Sequence, residues 1–223
     1  MLAATNVVPD DREPEWGHVF IVKAFALAGN HTSDSSLIQD GIKLATKYLD
    51  YIDTNDPHLE LEIRKSRAIA FKYLGDGAKA VDDLKWVVDK RGSYDDRIQL
   101  AQAYIAGQEF TQARQLLQDI PYGDLTAGEQ YDHTYAMFGL LYGTGNSDLK
   151  ETVKRRLLEL EPEFPYWREV RSSLLEMLMT KDENESLPSW WLSFREMVIL
   201  EPNFFGLGID LSAVIERFFL ERN

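Results

Sequence analysis

The sequence lacks cysteine altogether: none occurs among its 223 residues. This absence excludes disulfide bonds, thiolate nucleophiles and cysteine-ligated zinc or iron–sulfur sites. It also fits a reducing compartment, and we therefore expect a cytoplasmic protein. Apolar residues never run for about 18 positions, so no membrane-spanning helix is expected. Residues 1–15 have neither the basic start nor the apolar run of a signal peptide, and they predict a flexible N-terminal tail.

Basic residues are too few to balance the acidic ones. Lys and Arg number 24 against 37 Asp and Glu, which gives a formal net charge of −13 at pH 7. Such a chain repels phosphate backbones and anionic lipid surfaces, so neither nucleic acid nor a membrane is an expected partner. The dense basic run over 154–156 has two interpretations: a site for an acidic partner, or a solvated helix face paired with Glu151 and Glu159.

Motifs of enzyme chemistry are also missing. The sequence has no P-loop, no G-x-S-x-G elbow and no G-x-G-x-x-G fingerprint. Its four histidines, at positions 18, 31, 58 and 133, do not show metal-ligand spacing. The acidic pairs Asp82–Asp83 and Asp95–Asp96 are predicted to lie on helix surfaces or at helix starts, where they favour solubility and the helix dipole. We therefore expect a non-enzymatic protein with no catalytic residue, cofactor or metal.

Alternating β patterns are almost absent, whereas helical periodicity runs through the chain. Breaks rich in Gly, Pro, Asn and Asp interrupt it about every 15 to 20 residues. The segments between the breaks predict five helical hairpins and a last helix over about 210–222. The hairpins pair 16–28 with 37–52, 58–74 with 78–90, 94–106 with 110–119, 127–142 with 148–160, and 166–180 with 188–200.

Small residues recur at a fixed period in these hairpins. Ala68 and Ala101 are 33 residues apart, and so are Ala80 and Ala113. A period near 33 or 34 residues is typical of a helical repeat array. The first helices pair a small residue with a ring three positions later, as in Ala68 and Phe71, Ala101 and Tyr104, and Gly139 and Tyr142. We interpret each pair as a close helix contact with a ring that fills the gap beside it.

The chain resembles the tetratricopeptide repeat family, whose pattern is W-x2-L-G-x2-Y, then A-x3-F, then P. The third hairpin contributes LAQAY and ARQLL, and the fourth contributes YAMFGLLY and LELEP. The resemblance covers about residues 37–203. Arg64, Arg67 and Arg97 depart from it, because the family usually has an aromatic residue or leucine at those positions. The resemblance implies an all-α fold: an α-solenoid of about five antiparallel hairpins over residues 16–203, curved into a right-handed superhelix.

The last 20 residues are predicted to form a C-terminal capping helix over 204–223. Within it an apolar stripe contains Leu211, Val214, Ile215, Phe218 and Phe219. A repeat array needs an end element that covers its last apolar face, which this stripe suits. The alternative is that Phe218 and Phe219 contact a partner or a second copy.

The resemblance also implies where a partner binds, since the first helices of such hairpins line a concave groove. The predicted groove residues are Lys65, Ile69, Lys72, Tyr73, Gln99, Gln102, Ile105, His133, Met137 and Leu140. The alternative interpretation is that they pack between hairpins. A second possible interface lies in the aromatic C-terminal region, at Trp190 and Trp191 together with Phe218 and Phe219. Adjacent helical residues point about 100° apart, so Trp190 and Trp191 are both buried only if that helix is covered on two sides.

These features predict an adaptor, scaffold or assembly factor whose partner is another protein or a peptide segment bound in the groove. The alternative is a self-assembling structural subunit of a larger complex that makes its contacts through the aromatic C-terminal region. Homo-oligomers are compatible with either function.

Overall fold

The computed structural model describes residues 16–51, 57–160 and 165–180. Every regular element in these ranges is helical: nine α-helices and one 3-10 turn at Tyr122–Asp124, with no strand. The helices are α1 (Trp16–Thr32), α2 (Ser35–Tyr51), α3 (Pro57–Tyr73), α4 (Gly77–Lys90), α5 (Tyr94–Ala106), α6 (Phe110–Gln118), α7 (Ala127–Thr144), α8 (Asp148–Glu159) and α9 (Pro165–Thr180). The all-α prediction is therefore confirmed for the described residues.

The predicted helix ends match the observed ones to within four residues for all nine helices. The predicted helices over 188–200 and about 210–222 lie outside the described residues. So does the predicted tail over 1–15.

Helices that follow one another in the chain pack against one another in space. Contacts join each helix from α1 to α8 to the next one, and α1 also packs on α3, α3 on α5 and α5 on α7. All of these pairs are separated by at most one intervening helix. Folding therefore requires mainly local association of neighbouring helices.

Local sequence signals set several helix starts. Ser93 precedes α5, and its hydroxyl accepts a hydrogen bond from the backbone N–H of Asp96. Thr126 and Glu129 form a reciprocal capping box at the start of α7. These caps satisfy backbone N–H groups that have no partner inside the helix. They fix where α5 and α7 begin, and therefore which side chains each helix turns inward.

The periodic small residues lie where the sequence predicts close packing. The alanines at 68, 80, 101 and 113 are all fully buried and belong to one apolar cluster that extends from α3 to α9. In α7, the rings of Phe138 and Tyr142 pack with their centroids 4.5 Å apart. The cluster is continuous across three successive hairpins and α9, so burial in one hairpin depends on the next.

One contact between helix ends leaves no space for a side chain. Gly77, the first residue of α4, lies against the backbone at the end of α5. A Cβ on Gly77 would overlap Gly107 and would come within 2.7 Å of the carbonyl carbon of Ala106. Because backbone atoms cannot rotate away, this position requires glycine.

We expect Gly77→Ala to destabilise the fold by about 1–3 kcal/mol, since the methyl group forces α4 and α5 apart. The measurement is urea unfolding followed by circular dichroism. Gly128→Ala is the matched control, because it also lies in the first turn of a helix and a Cβ there meets nothing within 4 Å. That control should be neutral or stabilising by up to about 1 kcal/mol. Equal stability of both variants would show that the α4–α5 contact is not tight.

Candidate functional site

The predicted groove residues lie on α3, α5 and α7, and most have little exposed surface. Eight are buried: Lys65, Ile69, Lys72, Tyr73, Gln99, His133, Met137 and Leu140. Only Gln102 and Ile105, both on α5, are half-buried. Among the ten residues, these two therefore offer a partner the most surface. Binding by the set stays a prediction.

The apolar members of the set pack between helices. Ile69 and Tyr73 belong to an apolar cluster that also contains Leu27 of α1 and Ile38 of α2. Met137 and Leu140 belong to the large cluster that extends from α3 to α9. These contacts correspond to the packing alternative for the apolar members.

Lys65 joins α3 to the first turn of α5. Its Nζ donates to Asp95 Oδ2 at 2.8 Å and lies 3.3 Å from Asp96 Oδ1. A buried ammonium group is costly unless carboxylates neutralise it. The ion pairs with Asp95 and Asp96 therefore hold the two helices in one register.

Lys72, two helical turns further along α3, also donates to side chains of α5. It is 3% exposed, and its Nζ donates to the side-chain oxygens of Gln99 and, at 3.2 Å, of Gln102 on α5. Residues 65 and 72 lie on one face of α3, because seven residues complete almost two turns. The structure thus brings Lys72, Gln99 and Gln102 of the predicted set together, as a polar seam between α3 and α5.

Asp96 is the most enclosed charged residue of this seam. It has 0% exposed surface and accepts hydrogen bonds from Arg91 Nε at 2.7 Å and from the Ser93 hydroxyl at 2.7 Å. Burial, the largest single effect, would raise the pKa of Asp96. The hydrogen bonds from Arg91 and Ser93 and the charge of Lys65 outweigh burial and hold that pKa below 3.8.

The lowered pKa of Asp96 determines when these contacts stabilise the fold. Because the folded-state pKa lies below the unfolded one, the stabilisation is present in full above about pH 3.8. It is lost as the pH falls below that value and through the lower pKa of the folded state. The contribution of Asp96 to the seam is therefore lost only in acid below that value.

The network reaches back to the first hairpin. Arg91 also contacts Glu62 of α3, with 3.2 Å between Nη1 and Oε1. Glu62 in turn lies 3.7 Å from Lys23 of α1. Charges on α1, α3 and α5 are thus connected through side chains that are partly shielded from water.

A second buried carboxylate, Asp83 of α4, corrects the sequence prediction that its acidic pair lies on the surface. Asp83 is 2% exposed and accepts two hydrogen bonds from Arg67 of α3, at 2.7 and 2.8 Å. Arg64 of α3 adds a third contact at 3.2 Å and stacks over the Trp86 ring at 4.6 Å. Asp95 and Asp96 lie in the first turn of α5, at a helix start as predicted, although Asp96 is buried there. Asp82 is exposed as expected.

Two arginines gave an indirect signal in the sequence for this buried carboxylate. Arg64 and Arg67 occupy positions where the tetratricopeptide pattern has apolar residues. Two arginines three residues apart on an inward face require a buried anion on the helix that packs there. Asp83 is that anion, and it forms a bidentate ion pair with Arg67.

His133 of α7 lies outside this network, in a separate buried cluster. It is 1% exposed; its Nε2 lies 3.0 Å from the carbonyl oxygen of Leu117, and its Nδ1 lies 3.1 Å from Nη1 of Arg156. Arg156 belongs to the basic run over 154–156. It is half-buried and stacks 3.9 Å from the centre of the Tyr122 ring. The solvated-face interpretation therefore does not describe Arg156.

The second predicted interface is not part of the described structure. Trp190, Trp191, Phe218 and Phe219 all lie outside the described residues. Nearer to them in the chain, Leu158 of α8 and Met179 of α9 are 61% and 73% exposed. Both side chains are therefore among the exposed large apolar ones of the described residues.

The described ranges contain neither a metal-binding cluster nor a membrane-spanning helix. No group of three His, Asp or Glu side chains gathers there in a way that could hold a metal ion. Within the same ranges, no helix has both the length and the apolar character needed to cross a membrane.

Comparison with known proteins finds no matching family model, no matching curated protein and no matching solved structure. The resemblance to tetratricopeptide repeats therefore rests on the residue spacing alone and stays a prediction.

We expect Asp83→Asn to destabilise the fold by about 3 kcal/mol, because it leaves Arg67 without its anion and Arg64 with Glu60 alone. Both arginines keep some solvent contact, which holds the loss near the lower end of the range for broken buried pairs. Chemical denaturation measures the change. Asp82→Asn is the matched control, since the adjacent carboxylate is exposed, and it should shift stability by less than about 0.5 kcal/mol. Similar losses in both variants would contradict a specific role for Asp83.

Proposed function

We propose that this chain is a non-enzymatic α-solenoid of tetratricopeptide-like hairpins that acts as an adaptor, scaffold or assembly factor. Its partner is a segment of another protein that binds along the face formed by α3, α5 and α7. The observation that supports this most is the packing order, with α1 on α3, α3 on α5 and α5 on α7. A row of first helices stacked in this way presents one continuous surface, which suits an extended or helical segment.

The polar seam supports the same function by holding the surface rigid. Lys65 and Lys72 fix α5 relative to α3 through four side chains of α5. A binding face that is already ordered loses little conformational entropy when a partner docks. The buried lysines therefore position the surface, while the partner contacts come from residues such as Gln102 and Ile105.

The chemistry of the expected partner follows from charge and from these two side chains. Gln102 supplies an amide and Ile105 an apolar surface, three residues apart on α5, so they lie on one face. The chain carries a net charge of −13, which attracts a basic segment more readily than an acidic one. A basic segment with an apolar anchor is the expected ligand, and a cytoplasmic location remains part of this proposal.

A photo-crosslinking amino acid at position 105 tests the proposal in the cells that make the protein. The matched control places the same group at Gln115, an exposed position on α6. Both variants must first show the wild-type helical melting curve. We expect position 105 to capture a discrete partner protein that position 115 does not capture. Capture of the same proteins from both positions, or of none, would contradict binding through this face.

Self-assembly is the second candidate, favoured by the exposed apolar side chains of Leu158 and Met179. Copies that associate there would bury both side chains and raise the molecular mass with concentration. If self-assembly is the function, the crosslinker at position 105 captures only copies of the chain or nothing. Sedimentation equilibrium then shows association of the chain, and Met179→Lys weakens that association.

A further inference from the structure

The protonation state of His133 is fixed by its two ring contacts. Its Nδ1 lies 3.1 Å from Nη1 of Arg156, and its Nε2 lies 3.0 Å from the carbonyl oxygen of Leu117. A guanidinium group has only donors, so Nδ1 must accept and carry no proton. The Leu117 carbonyl only accepts, so Nε2 must carry the proton. His133 is therefore neutral, and its contacts need that neutrality.

Four segments of the chain meet at this imidazole. Leu117 belongs to the last turn of α6, Tyr122 to the connection between α6 and α7, and Arg156 to α8. The Tyr122 ring stands edge-on to His133 at 5.6 Å, and its hydroxyl lies 3.1 Å from that of Thr134. The guanidinium of Arg156 also stacks over the Tyr122 ring, 3.9 Å from the ring centre. The α6–α7 connection is thus attached to the fourth hairpin through His133 and Arg156.

The charged group that acts directly on His133 is the guanidinium of Arg156. Around Arg156, the same helix contributes a second cation at Arg155 and an anion at Glu159. From α6, the contact to His133 is the Leu117 carbonyl, and from the connection it is the Tyr122 ring. No carboxylate contacts the imidazole within the described residues.

The carboxylates of the neighbouring helix α5 are held elsewhere. Asp95 is bound by Lys65, and Asp96 by Arg91 and Lys65, on the side of α5 that faces α3. They are therefore already neutralised by other cations. A proton on His133 would meet Arg156 with no described anion in contact to offset the two charges.

We propose that His133 is an acid-sensitive joint that releases the α6–α7 connection when its imidazole takes up a proton. The added proton occupies Nδ1, which can then no longer accept from Arg156. Two cations then face each other in a largely buried space, where their repulsion is weakly screened. Arg156 moves away toward solvent, and the stack of Arg156 on Tyr122 is lost with it. The joint between the third and fourth hairpins thereby loosens.

The direction of the pH dependence follows from the environment of the ring. Burial, the largest effect, lowers the pKa of His133 from 6.5, the Leu117 carbonyl opposes that, and the charge of Arg156 lowers it further. Because the folded-state pKa is lower than the unfolded one, the stabilisation is present in full above about pH 6.5. It is lost as the pH falls below that value and through the lower folded-state pKa.

Two measurements on the full chain test this inference. The first is an NMR titration of the histidine ring signals, in which His133→Gln identifies the signal and the urea-unfolded chain is the reference. We expect the pKa of His133 to be lower in the folded chain than in the unfolded one, and to rise in folded Arg156→Gln. The second is hydrogen exchange of residues 119–126, corrected for intrinsic rates, at pH 7.5 and at a pH where His133 is protonated. Wild type should lose protection there in acid.

The His133→Gln variant distinguishes a titrating joint from a merely structural residue. Glutamine offers an amide donor and a carbonyl acceptor but does not titrate, so residues 119–126 should be protected equally at both pH values. If that variant does not fold, Arg156→Gln replaces it and should show a smaller acid-induced loss than wild type. Unchanged protection in wild type once His133 is protonated would overturn the inference. So would an equal pKa of His133 in the folded and the unfolded chain, or an equal acid-induced loss of protection in the variants.

Discussion

The described structure depends on one constraint: Asp96 is a carboxylate with no contact to water. Such a group is tolerated only where cations and hydrogen-bond donors surround it. Here Arg91 arrives from the turn before α5, Ser93 from the helix cap and Lys65 from α3. The three donors can meet only if α3, the turn and α5 take one relative position. Satisfying Asp96 therefore sets the register of the second hairpin against the third, and the apolar cluster then fills the space around it.

Asp83 is a second buried carboxylate that cations stabilise, inside the second hairpin. The fourth hairpin has a different kind of contact. Arg67 and Arg64 place their guanidinium groups on Asp83, so this carboxylate is paired with cations. At the fourth hairpin, Arg156 meets a neutral imidazole instead of a carboxylate. Although burial opposes them, hydrogen bonds from Arg91 and Ser93 and the charge of Lys65 hold the pKa of Asp96 below 3.8, whereas burial and Arg156 hold the pKa of His133 below 6.5. The two kinds of contact therefore give different parts of the chain different sensitivity to pH.

The sequence predicted the helices well because caps, breaks and apolar periodicity are local signals. The alanines at 68, 80, 101 and 113 were also predicted correctly as buried, since a fixed period marks residues in equivalent packing positions. The sequence predicted the polar contacts of the candidate site residues less well. The acidic pairs were expected on helix surfaces or at helix starts; Asp96 does lie in the first turn of α5, but Asp83 is buried. For neither residue does the sequence show that a cation from another helix binds it. Likewise, the sequence does not show that Lys65 and Lys72 donate to side chains of α5, and their contact with a partner stays a prediction. Single-helix periodicity shows which face a residue occupies, but not what covers that face.

The central claim is that a buried charge pair couples neighbouring hairpins, and a double-mutant cycle tests it most directly. Lys65→Met and Asp96→Asn are measured singly and together by urea unfolding at pH 7. Because the two groups are 3.3 Å apart on α3 and α5, we predict that the losses are not additive. The coupling energy should be about 1–3 kcal/mol, as for residues in one buried network. Losses that add to within about 0.3 kcal/mol would contradict the account, because Lys65 and Asp96 would then not couple the two hairpins.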